Sequence, residues 1–507
     1  MKWRTPFPSL MALIWLIAVA SCSHNKMRQN EEVVRDALLA QEAVIMEQKR
    51  LEAERAKAFA DSIAQLPQGL YVQADRSVEP LHPPLVFDVE EARTRIKPVR
   101  YSQLGSTVRY IKLSHNLKPA FFHGAEALLT DDGVVISASG GVACFDEMGL
   151  FKEVVCANSP SSARRGLVWV GQGKKSMDYR GVYGAPFVIG HKIYYRYLDE
   201  PNDQAWIMEY DLLHPPSIAV QQGVEQWRGV TPKGKRKTRL HTKINWLERE
   251  MIPLDEYHWV SHKTKWNSSK VGYFLSVHNF SGDTVCRLKD FDPVKNHTGS
   301  TYRGVEGGEG DLYRLKGQLH VRQNLNDTIY RFESVNRVRP LYVVDFGKRK
   351  IGSSTMGLSP RFELKEKFVH YSLLETNRFV FVFYTQDYAC PMTAKRGTLL
   401  FNSFVYDKIT NEQFHTYIDE KPDYTPGSSF SFPRPPRKGI INDLDYGITT
   451  WDFKQTEGGK LYKLLKGEEL KAHIQSVPGN PSSTHKNLLK KIAETSADDD
   501  LFLMIIE

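Results

Sequence analysis

The sequence predicts a mainly β fold for residues 101–507 of the 507-residue chain, and three observations support this prediction. Short segments rich in β-branched and aromatic residues alternate with turn residues along this region, which is typical of strands. The pair Asp132-Gly133 separates two apolar runs, as in a β-hairpin. No strong amphipathic helix of twelve or more residues occurs between residues 101 and 480, which argues against alternating strand–helix units.

So many short strands fit a pair of sandwiches, a large barrel or a propeller. A propeller is favoured because each blade covers the next and few strand edges stay exposed. A hydrophobic content of 41% and an aromatic content of 11% are enough for a sizeable core and exclude a wholly disordered chain. Five cysteines are too few for a disulfide scaffold.

The N-terminus has the pattern of an export signal. Lys2 and Arg4 precede an apolar run from Leu10 to Ala20, which is shorter than the ~20 residues that a membrane-spanning helix needs. The phrase Val19-Ala20-Ser21-Cys22 resembles the bacterial lipobox, whose cleavage leaves Cys22 as a lipidated first residue. An ordinary secretory signal followed by a chance cysteine is the alternative. Acyl chains on Cys22 would anchor the protein to a membrane without spanning it.

The residues after Cys22 bear on location. Ser23 rather than Asp follows the cysteine, which resembles the outer-membrane signal of Gram-negative lipoproteins. Residues 23–30 lack an early acidic cluster of the kind that resembles the surface-export signal of Bacteroides-type lipoproteins. We therefore expect a lipid-anchored outer-membrane protein and favour the periplasmic face over the cell surface.

The chain is divided into four parts by composition. They are a lipoprotein signal peptide at 1–21, a lipidated N-terminus with a helical spacer at 22–66, a Pro-rich linker at 67–100 and the β domain at 101–507. Residues 31–66 contain good helix formers and neither Gly nor Pro, so they predict a helix. We interpret it as a spacer that lifts the body from the membrane. A coiled-coil oligomerisation segment and a helix packed onto the body are the alternatives.

Seven phrases of the β-rich region carry a family resemblance. They are Tyr101–Leu113, Gly140–Gly149, Asn324–Arg331, Pro340–Lys348, Phe404–Glu412, Ile441–Gly447 and Asp498–Ile506. In this order they resemble the six-bladed β-propeller lipoproteins of Bacteroides-type bacteria. The resemblance implies a six-bladed β-propeller preceded by a lipid anchor. It implies no reaction, because that family is largely uncharacterised.

Two expectations concern how the propeller is held together. The final predicted strand, Leu501–Ile506, is expected to complete a blade begun by an early strand and so to close the ring. Cys144 and Cys156 flank one predicted hairpin turn, but the hairpin register does not place them opposite each other. A direct disulfide across this hairpin is therefore not expected.

Motifs for cofactors and metals are missing from the sequence. It contains no Gly-rich phosphate loop, no nucleophile elbow and no zinc-protease motif, so no cofactor is predicted. On a strand, His258 and His262 would lie about 13 Å apart, too far for one small metal shell, whereas on a helix they could share a metal ion. No third ligand is evident nearby in the sequence. We predict no metal site.

One charge cluster stands out, with five bases in seven residues. It predicts an anion-binding loop for acidic lipid, lipopolysaccharide phosphate or an acidic polymer, with a solvated loop as the alternative. Its members are Lys233, Lys235, Arg236, Lys237 and Arg239. The net charge of +9 does not indicate a nucleic-acid partner, because the chain carries an export signal and no recognised binding motif accompanies the cluster.

Three functions fit these observations. We favour an outer-membrane-anchored binding or scaffold lipoprotein whose propeller face binds an envelope protein, peptide or glycan. The alternatives are a glycan-directed hydrolase or lyase with its site in the propeller funnel, and a structural envelope component. Converging carboxylates of perturbed pKa in the funnel would favour an enzyme, whereas an apolar plug would favour a scaffold.

Overall fold

The computed structural model divides into two compact units, Met1–Gly69 and Leu70–Glu507. In the first unit Glu47 and Arg50 form an ion pair one helical turn apart. The signal peptide, Cys22 and almost all of the predicted spacer lie outside the described residues. No helix among the described residues is long and apolar enough to cross a membrane. The structure describes residues 46–47, 50, 72–73, 84–158, 180–182, 186–199, 204–212, 239–243, 250–255, 257–262, 273–279, 283–289, 310–323, 326–350, 367–386, 399–422, 435–476 and 484–507.

The second unit is a six-bladed β-propeller, which confirms the predicted fold and the fold that the family resemblance implied. It begins with an N-terminal segment of short elements. These are β1 (Val72–Gln73), β2 (Leu85–Asp88), the helical turn α1 (Val89–Ala92), β3 (Val99–Arg100) and β4 (Val108–Leu113).

The blades follow in chain order, and in each the strands named A to D run from the inside of the ring to its rim. Blade 1 contains β5 (Glu126–Thr130), β6 (Gly133–Ala138), β7 (Gly141–Phe145) and β8 (Phe151–Ala157). Blade 2 has an interrupted inner strand, and it contains β9 (Arg180–Val182), β10 (Phe187–Ile189), β11 (Lys192–Asp199), β12 (Gln204–Asp211) and β13 (Arg239–Lys243). Blade 3 contains β14 (Glu250–Pro253), β15 (His258–His262), β16 (Tyr273–Asn279) and β17 (Thr284–Lys289).

The second half of the ring is built in the same way. Blade 4 contains β18 (Gly310–Leu315), β19 (Gln318–Gln323), β20 (Thr328–Ser334) and β21 (Arg337–Asp345). Blade 5 contains β22 (Phe368–Glu375), β23 (Phe379–Gln386), β24 (Leu400–Asp407) and β25 (Glu412–Glu420), and the short β26 (Ile440–Ile441) follows and pairs with β3. Blade 6 contains β27 (Lys454–Gln455), β28 (Leu461–Lys466), β29 (Leu501–Ile506) and β4, with helices α2 (Gly467–Ser476) and α3 (Thr484–Thr495) between β28 and β29.

The last blade joins the two ends of the domain. Strand β29 pairs with β28 on one side and with β4 on the other, in a register from Leu501↔Leu113 to Ile506↔Val108. The expectation that the final strand completes a blade begun by an early strand is confirmed. Because β4 and β29 come from opposite ends of the sequence, the ring closes only when both ends are folded.

The segment before β4 runs along the rim of the propeller. Strand β1 pairs in parallel with β17 of blade 3, and β2 pairs in parallel with β21 of blade 4. Ile96 then forms a parallel bridge to His415 in β25 of blade 5. Residues 84–100, which were assigned above to the Pro-rich linker, therefore hydrogen-bond to successive blades before the chain enters blade 6.

The core consists of apolar clusters, one at each junction between neighbouring blades. A blade strand is covered on both faces, so its sequence can be apolar at every position. Strand β23 is an example: Phe381 and Phe383 pack toward blade 6, whereas Val380 and Val382 pack toward blade 4. Each such fully buried side chain contributes about 1.5–3 kcal/mol relative to an exposed one.

Candidate functional site

The inner part of the junction between blades 4 and 5 is polar, unlike the rest of that junction. On the hairpin of β18 and β19, Asp311 lies opposite Arg322 and Tyr313 lies opposite His320. Cross-strand partners project from the same face of a sheet, so these four side chains share one face. That face meets β22 of blade 5, because Tyr313 and His320 both contact Glu375.

Glu375, at the end of β22, is the centre of this polar cluster. Its carboxylate is 2% exposed and accepts hydrogen bonds from the Tyr342 hydroxyl at 2.8 Å and the Lys408 ammonium at 2.6 Å. Tyr313 donates a third hydrogen bond, and His320 Nδ1 lies 2.9 Å from Oε2. Three of these partners come from blade 4 and one from blade 5, so the carboxylate ties the two blades together.

The surroundings of Glu375 determine its protonation state. Burial alone would raise its pKa, but the hydrogen bond from His320 and the charge of Lys408 outweigh burial and lower the pKa to about 2. The same carboxylate, with burial, raises the pKa values of the Tyr313 and Tyr342 hydroxyls. Glu375 is therefore ionised at neutral pH and surrounded by its own donors, which suits a structural ion rather than a general acid.

A second pair lies on the same hairpin. Arg322 is fully buried, and its Nε donates to Asp311 Oδ2. The other oxygen of Asp311 accepts from the backbone N–H of Leu373 at 3.2 Å, which places this aspartate across the junction. His370 is 2% exposed, and burial together with the charge of Arg322 holds its pKa well below the usual range. At neutral pH this region thus contains one ion pair and one uncharged imidazole.

The cluster is suited to holding blades 4 and 5 together rather than to catalysis. A catalytic pair needs a reachable acid or base with a pKa near the working pH. Asp327 is a carboxyl group with a raised pKa, caused by burial, but its Oδ2 lies 2.7 Å from the ammonium of Lys350. Within the described residues, no group of three His, Cys, Asp or Glu side chains could hold a metal ion.

The two ends of the propeller differ. We call the end with the A–B and C–D connections the turn end, and the end with the B–C and D–A connections the connection end. The A–B connections are short, at 131–132, 190–191, 254–257, 316–317, 376–378 and 456–460. The D–A and B–C connections include long ones, at 158–179, 263–272, 290–309, 346–367, 387–399 and 467–500. The long C–D connection 212–238 in blade 2 is an exception at the turn end.

At the turn end the A–B connections of four blades meet inside the ring. Arg314 of blade 4 donates to the carbonyl oxygens of Pro253 and Leu254 in blade 3, at 2.9 and 2.8 Å. Its Nη2 also lies 2.7 Å from Glu457 in blade 6, and Asn377 in blade 5 donates to the carbonyl oxygen of Gly458. Blades 4 and 6 are not neighbours, so the Arg314–Glu457 pair crosses the interior of the ring.

Most of the predicted anion-binding loop cannot be placed. Lys233, Lys235, Arg236 and Lys237 lie outside the described residues, as does Cys22. Arg239 is the first residue of β13 and pairs with Glu209 in the sheet. Since β13 is a D strand, its first residue lies at the turn end of blade 2.

The histidines and cysteines considered in the sequence analysis lie on strands of blades 1 and 3. His258 and His262 lie on β15, and His258 Nδ1 is 2.9 Å from Asp255 in the adjoining turn. Cys144 lies opposite Glu153 and Cys156 opposite Val142, so the prediction that the two thiols do not face each other is confirmed. Burial raises the pKa of the Cys286 thiol to about 12.

Sequence reasoning missed the polar cluster. Asp311 belongs to β18 and pairs with the buried side chain of Arg322. The hairpin alternates polar and apolar side chains, which normally indicates one solvated face. Here the polar face is covered by another blade whose partner residues lie about 50–90 positions further along the chain.

Comparison with known proteins finds one matching family model and several solved structures of low similarity. Residues 253–476 match a family model described as a domain of unknown function, DUF4933. No curated protein matches the chain. Three solved structures show low similarity and carry no argument about function.

The first solved structure is a member of the DUF4221 family from Bacteroides vulgatus, 8% identical, covering 82% of this chain and 99% of that one, with a TM-score of 0.35. A protein of unknown function from Bacteroides thetaiotaomicron is 8% identical and covers 79% and 76%, with a TM-score of 0.32. A GH43B protein of a Bacteroides ovatus xyloglucan locus is 10% identical and covers 71% and 69%, with a TM-score of 0.23. The fold of this chain rests on its own six sheets.

Proposed function

We propose that this protein is an envelope lipoprotein, anchored to the outer membrane through Cys22, whose propeller binds an envelope protein, peptide or glycan at the connection end. The difference between the two ends of the ring carries this proposal. The strand ends that are joined by long stretches of sequence, such as Lys289 to Gly310, lie at the connection end, whereas the A–B connections at the turn end are short and meet at Arg314. Binding residues are commonly placed on loops that a rigid scaffold positions.

The buried cluster supports binding over catalysis in the inner part of the ring. Glu375 and Asp311 lie on the inner strands of blades 5 and 4, where a funnel carboxylate would be expected. Both are already paired with basic or hydroxyl side chains of the protein. These two carboxylates are therefore not available as the pair that glycoside hydrolysis requires.

The first test addresses the anchor. Cys22→Ser should move the protein from the membrane fraction to the soluble fraction, because no acyl chain can then be attached. Membrane retention of the Cys22→Ser protein after a high-salt wash would contradict the lipoprotein part of the proposal.

The second test addresses the binding surface. The intact lipoprotein is crosslinked in native membranes and recovered, and its partners are compared with those of two replacement variants. In one, residues 290–309 and 351–366, which join strand ends of the connection end, become flexible Gly-Ser linkers of equal length. In the matched control, residues 213–238, which join strand ends of the turn end, are replaced in the same way. Loss of the partner only in the first variant is expected.

The opposite outcome is equally defined. Recovery of the protein alone, together with turnover of an envelope glycan by the purified chain, would overturn the binding proposal and support the hydrolase alternative. Partner loss in the 213–238 variant but not in the 290–309 and 351–366 variant would indicate that the binding surface is at the other end of the ring.

A further inference from the structure

Residues 93–97, which follow α1 on the rim of the propeller, lie along the outer strand of blade 5, and we call them the strap. The backbone N–H of Lys97 donates to the carbonyl oxygen of His415 at 2.9 Å, and the N–H of His415 donates to the carbonyl oxygen of Arg95 at 2.8 Å. Ile96, in the middle of the strap, is 60% exposed. The strap is therefore held to β25 by polar contacts rather than by burial of this side chain.

The side chain of Arg93 fixes the start of the strap to the interior of blade 5. Its Nη1 donates to the Tyr384 hydroxyl and to Asn402 Oδ1, both at 3.0 Å, and its Nη2 donates to Asp419 Oδ2 at 3.0 Å. Tyr384 and Asn402 are fully buried, whereas the side chain of Asp419 is partly exposed. The guanidinium thus connects the strap to groups that lie inside the blade.

His415 contacts the same tyrosine from the other side. Its Nε2 is 2.9 Å from the Tyr384 hydroxyl, and its side chain is fully buried. A guanidinium can only donate, so the hydroxyl oxygen accepts from Arg93 and its single hydrogen is left for Nε2 of His415. Nε2 accepts that hydrogen only when it carries no proton of its own. The series of hydrogen bonds from Arg93 through Tyr384 to His415 therefore requires a neutral imidazole.

The surroundings of His415 oppose a charge on the ring. Among the described residues, the charged or titratable groups that face it are Arg93 on the strap, Tyr384 on β23 and Asp419 on β25, and β24 contributes the apolar ring of Phe404. Burial is the main cause that lowers the pKa of His415 to about 4, and the charge of Arg93 acts in the same direction. A hydrogen bond to the backbone and the charge of Asp419 act against the shift but are outweighed.

We propose that protonation of His415 releases the strap from blade 5. With a proton on Nε2 the imidazole donates instead of accepting, so the hydrogen bond from the Tyr384 hydroxyl is lost. The ring also becomes a second cation beside Arg93, and the two charges repel in a buried site. The backbone hydrogen bonds of Lys97 and His415 then open, and the outer edge of β25 becomes accessible to solvent. This pH-sensitive release requires neither the lipid anchor nor the binding partner of the proposed function.

Hydrogen–deuterium exchange of the purified protein, followed by mass spectrometry, measures the release. Protection factors, corrected for the pH dependence of intrinsic exchange, are compared for peptides that cover residues 93–97 and β23. His415 titrates near pH 6.5 when the strap is open and near pH 4 when it is closed. Protection of the strap should be constant above pH 6.5 and fall roughly 300-fold as the pH drops to 4.

The core strand β23 shows whether the release is local. At pH 4 residues 93–97 should exchange while β23, which is buried on both faces, is still protected. Simultaneous exchange of the two segments would show that acid unfolds the whole domain at once and would overturn release of the strap.

Two histidine variants identify the group that responds to acid. His415→Gln keeps an acceptor for the Tyr384 hydroxyl but cannot take up a proton, so protection of the strap should vary less than threefold between pH 6.5 and 4. His370→Gln is the matched control, because His370 is also buried with a lowered pKa but packs against Phe346. This variant should keep the decrease of the parent. A decrease that persists in His415→Gln, or that disappears in His370→Gln, would overturn the proposal.

Tyr384→Phe tests the hydrogen-bond series without replacing the histidine. The variant removes the hydroxyl that donates to neutral His415, so the ring should take up a proton more easily. Protection of residues 93–97 should be lower at pH 7 and should fall less between pH 6.5 and 4 than in the parent. A decrease as large as that of the parent would show that the hydroxyl does not couple the imidazole to the strap, and it would overturn the proposal.

Discussion

The hairpin of blade 4 presents apolar side chains to blade 3 and polar or charged side chains to blade 5. Along β19, Leu319 and Val321 point toward blade 3, where they join an apolar cluster with Val260 and Leu275. The alternate residues His320 and Arg322 point toward blade 5 and enter the polar cluster around Glu375 and Asp311. The same hairpin thus contributes apolar side chains to the 3–4 junction and an ionic cluster to the inner part of the 4–5 junction.

Apolar and ionic contacts between blades contribute differently to the stability of the fold. An apolar junction stabilises through the area that it removes from water, and it tolerates substitutions that conserve volume. A buried ionic junction adds little net stability, but removing one member leaves an uncompensated charge. The 4–5 junction should therefore be the more sensitive of the two to loss of a single group.

Removing the closure of the ring should exceed any effect at a single junction. Deletion of residues 501–507 removes β29 and leaves β4 and β28 without their shared partner. Every blade is supported by two neighbours, so the deletion should destabilise the whole domain, including both junctions of blade 4. We expect the free energy of unfolding to fall by more than about 5 kcal/mol. Thermal melts of the truncated and full chains check this, and an unchanged melt would show that closure is not required.

Glu375→Ala should be the most damaging single change at the 4–5 junction. It leaves two tyrosine hydroxyls without this acceptor and the Lys408 ammonium without its counter-charge, which costs about 3–5 kcal/mol. Urea unfolding measures the change. Glu147→Ala, in an exposed turn, is the matched control and should shift stability by less than about 0.5 kcal/mol. Similar effects of Glu375→Ala and Glu147→Ala would show that the 4–5 junction is not especially sensitive to the loss of one group.

Acid should act on the 4–5 junction through buried histidine. Burial, despite a hydrogen bond to the backbone, lowers the pKa of His415 to about 4, and this side chain packs against Tyr384 and Phe404 of the junction. Unfolded histidine titrates near pH 6.5, so the unfolded state binds more protons between pH 6.5 and 4. The contribution of neutral His415 to the free energy of unfolding is fully present above pH 6.5. It should fall by about 3 kcal/mol as the pH drops to 4.

The variants sharpen this prediction. His415→Gln should flatten the curve of unfolding free energy against pH between 6.5 and 4. Leu319→Ala at the 3–4 junction should lower the whole curve by about 2–5 kcal/mol and leave its shape unchanged. An unflattened curve for His415→Gln would assign the acid sensitivity to another group, and His370 has a pKa shifted in the same direction.

The smallest expected effect concerns one donor of the cluster. Tyr313→Phe removes a hydrogen bond to the Glu375 carboxylate and leaves Tyr342, Lys408 and His320 in place. A hydrogen bond to a charged group contributes about 1.5–3 kcal/mol, and the remaining donors should keep the loss near 1.5 kcal/mol. A loss as large as that of Glu375→Ala would show that the cluster depends on this tyrosine alone.

Some features could be predicted because they depend on neighbouring residues. The hairpin at Asp132-Gly133 was predicted from local turn chemistry, and Gly133 indeed adopts a φ of +132° where a Cβ would lie 2.2 Å from the carbonyl oxygen of Phe145. The closing strand Leu501–Ile506 was predicted from its apolar run and its place in the chain.

The sequence alone predicted the many short strands, the closure of the ring by the final strand and the pattern of an export signal that ends at Cys22. The tertiary structure decided which polar residues are buried together, how residues 84–100 follow the rim and which turns share one end of the ring. The physical reason is distance along the chain. Turns and strands respond to the nearest few residues, whereas Glu375 finds its partners across 33 to 62 positions. The packing of blade 4 against blade 5 brings these groups within hydrogen-bonding reach.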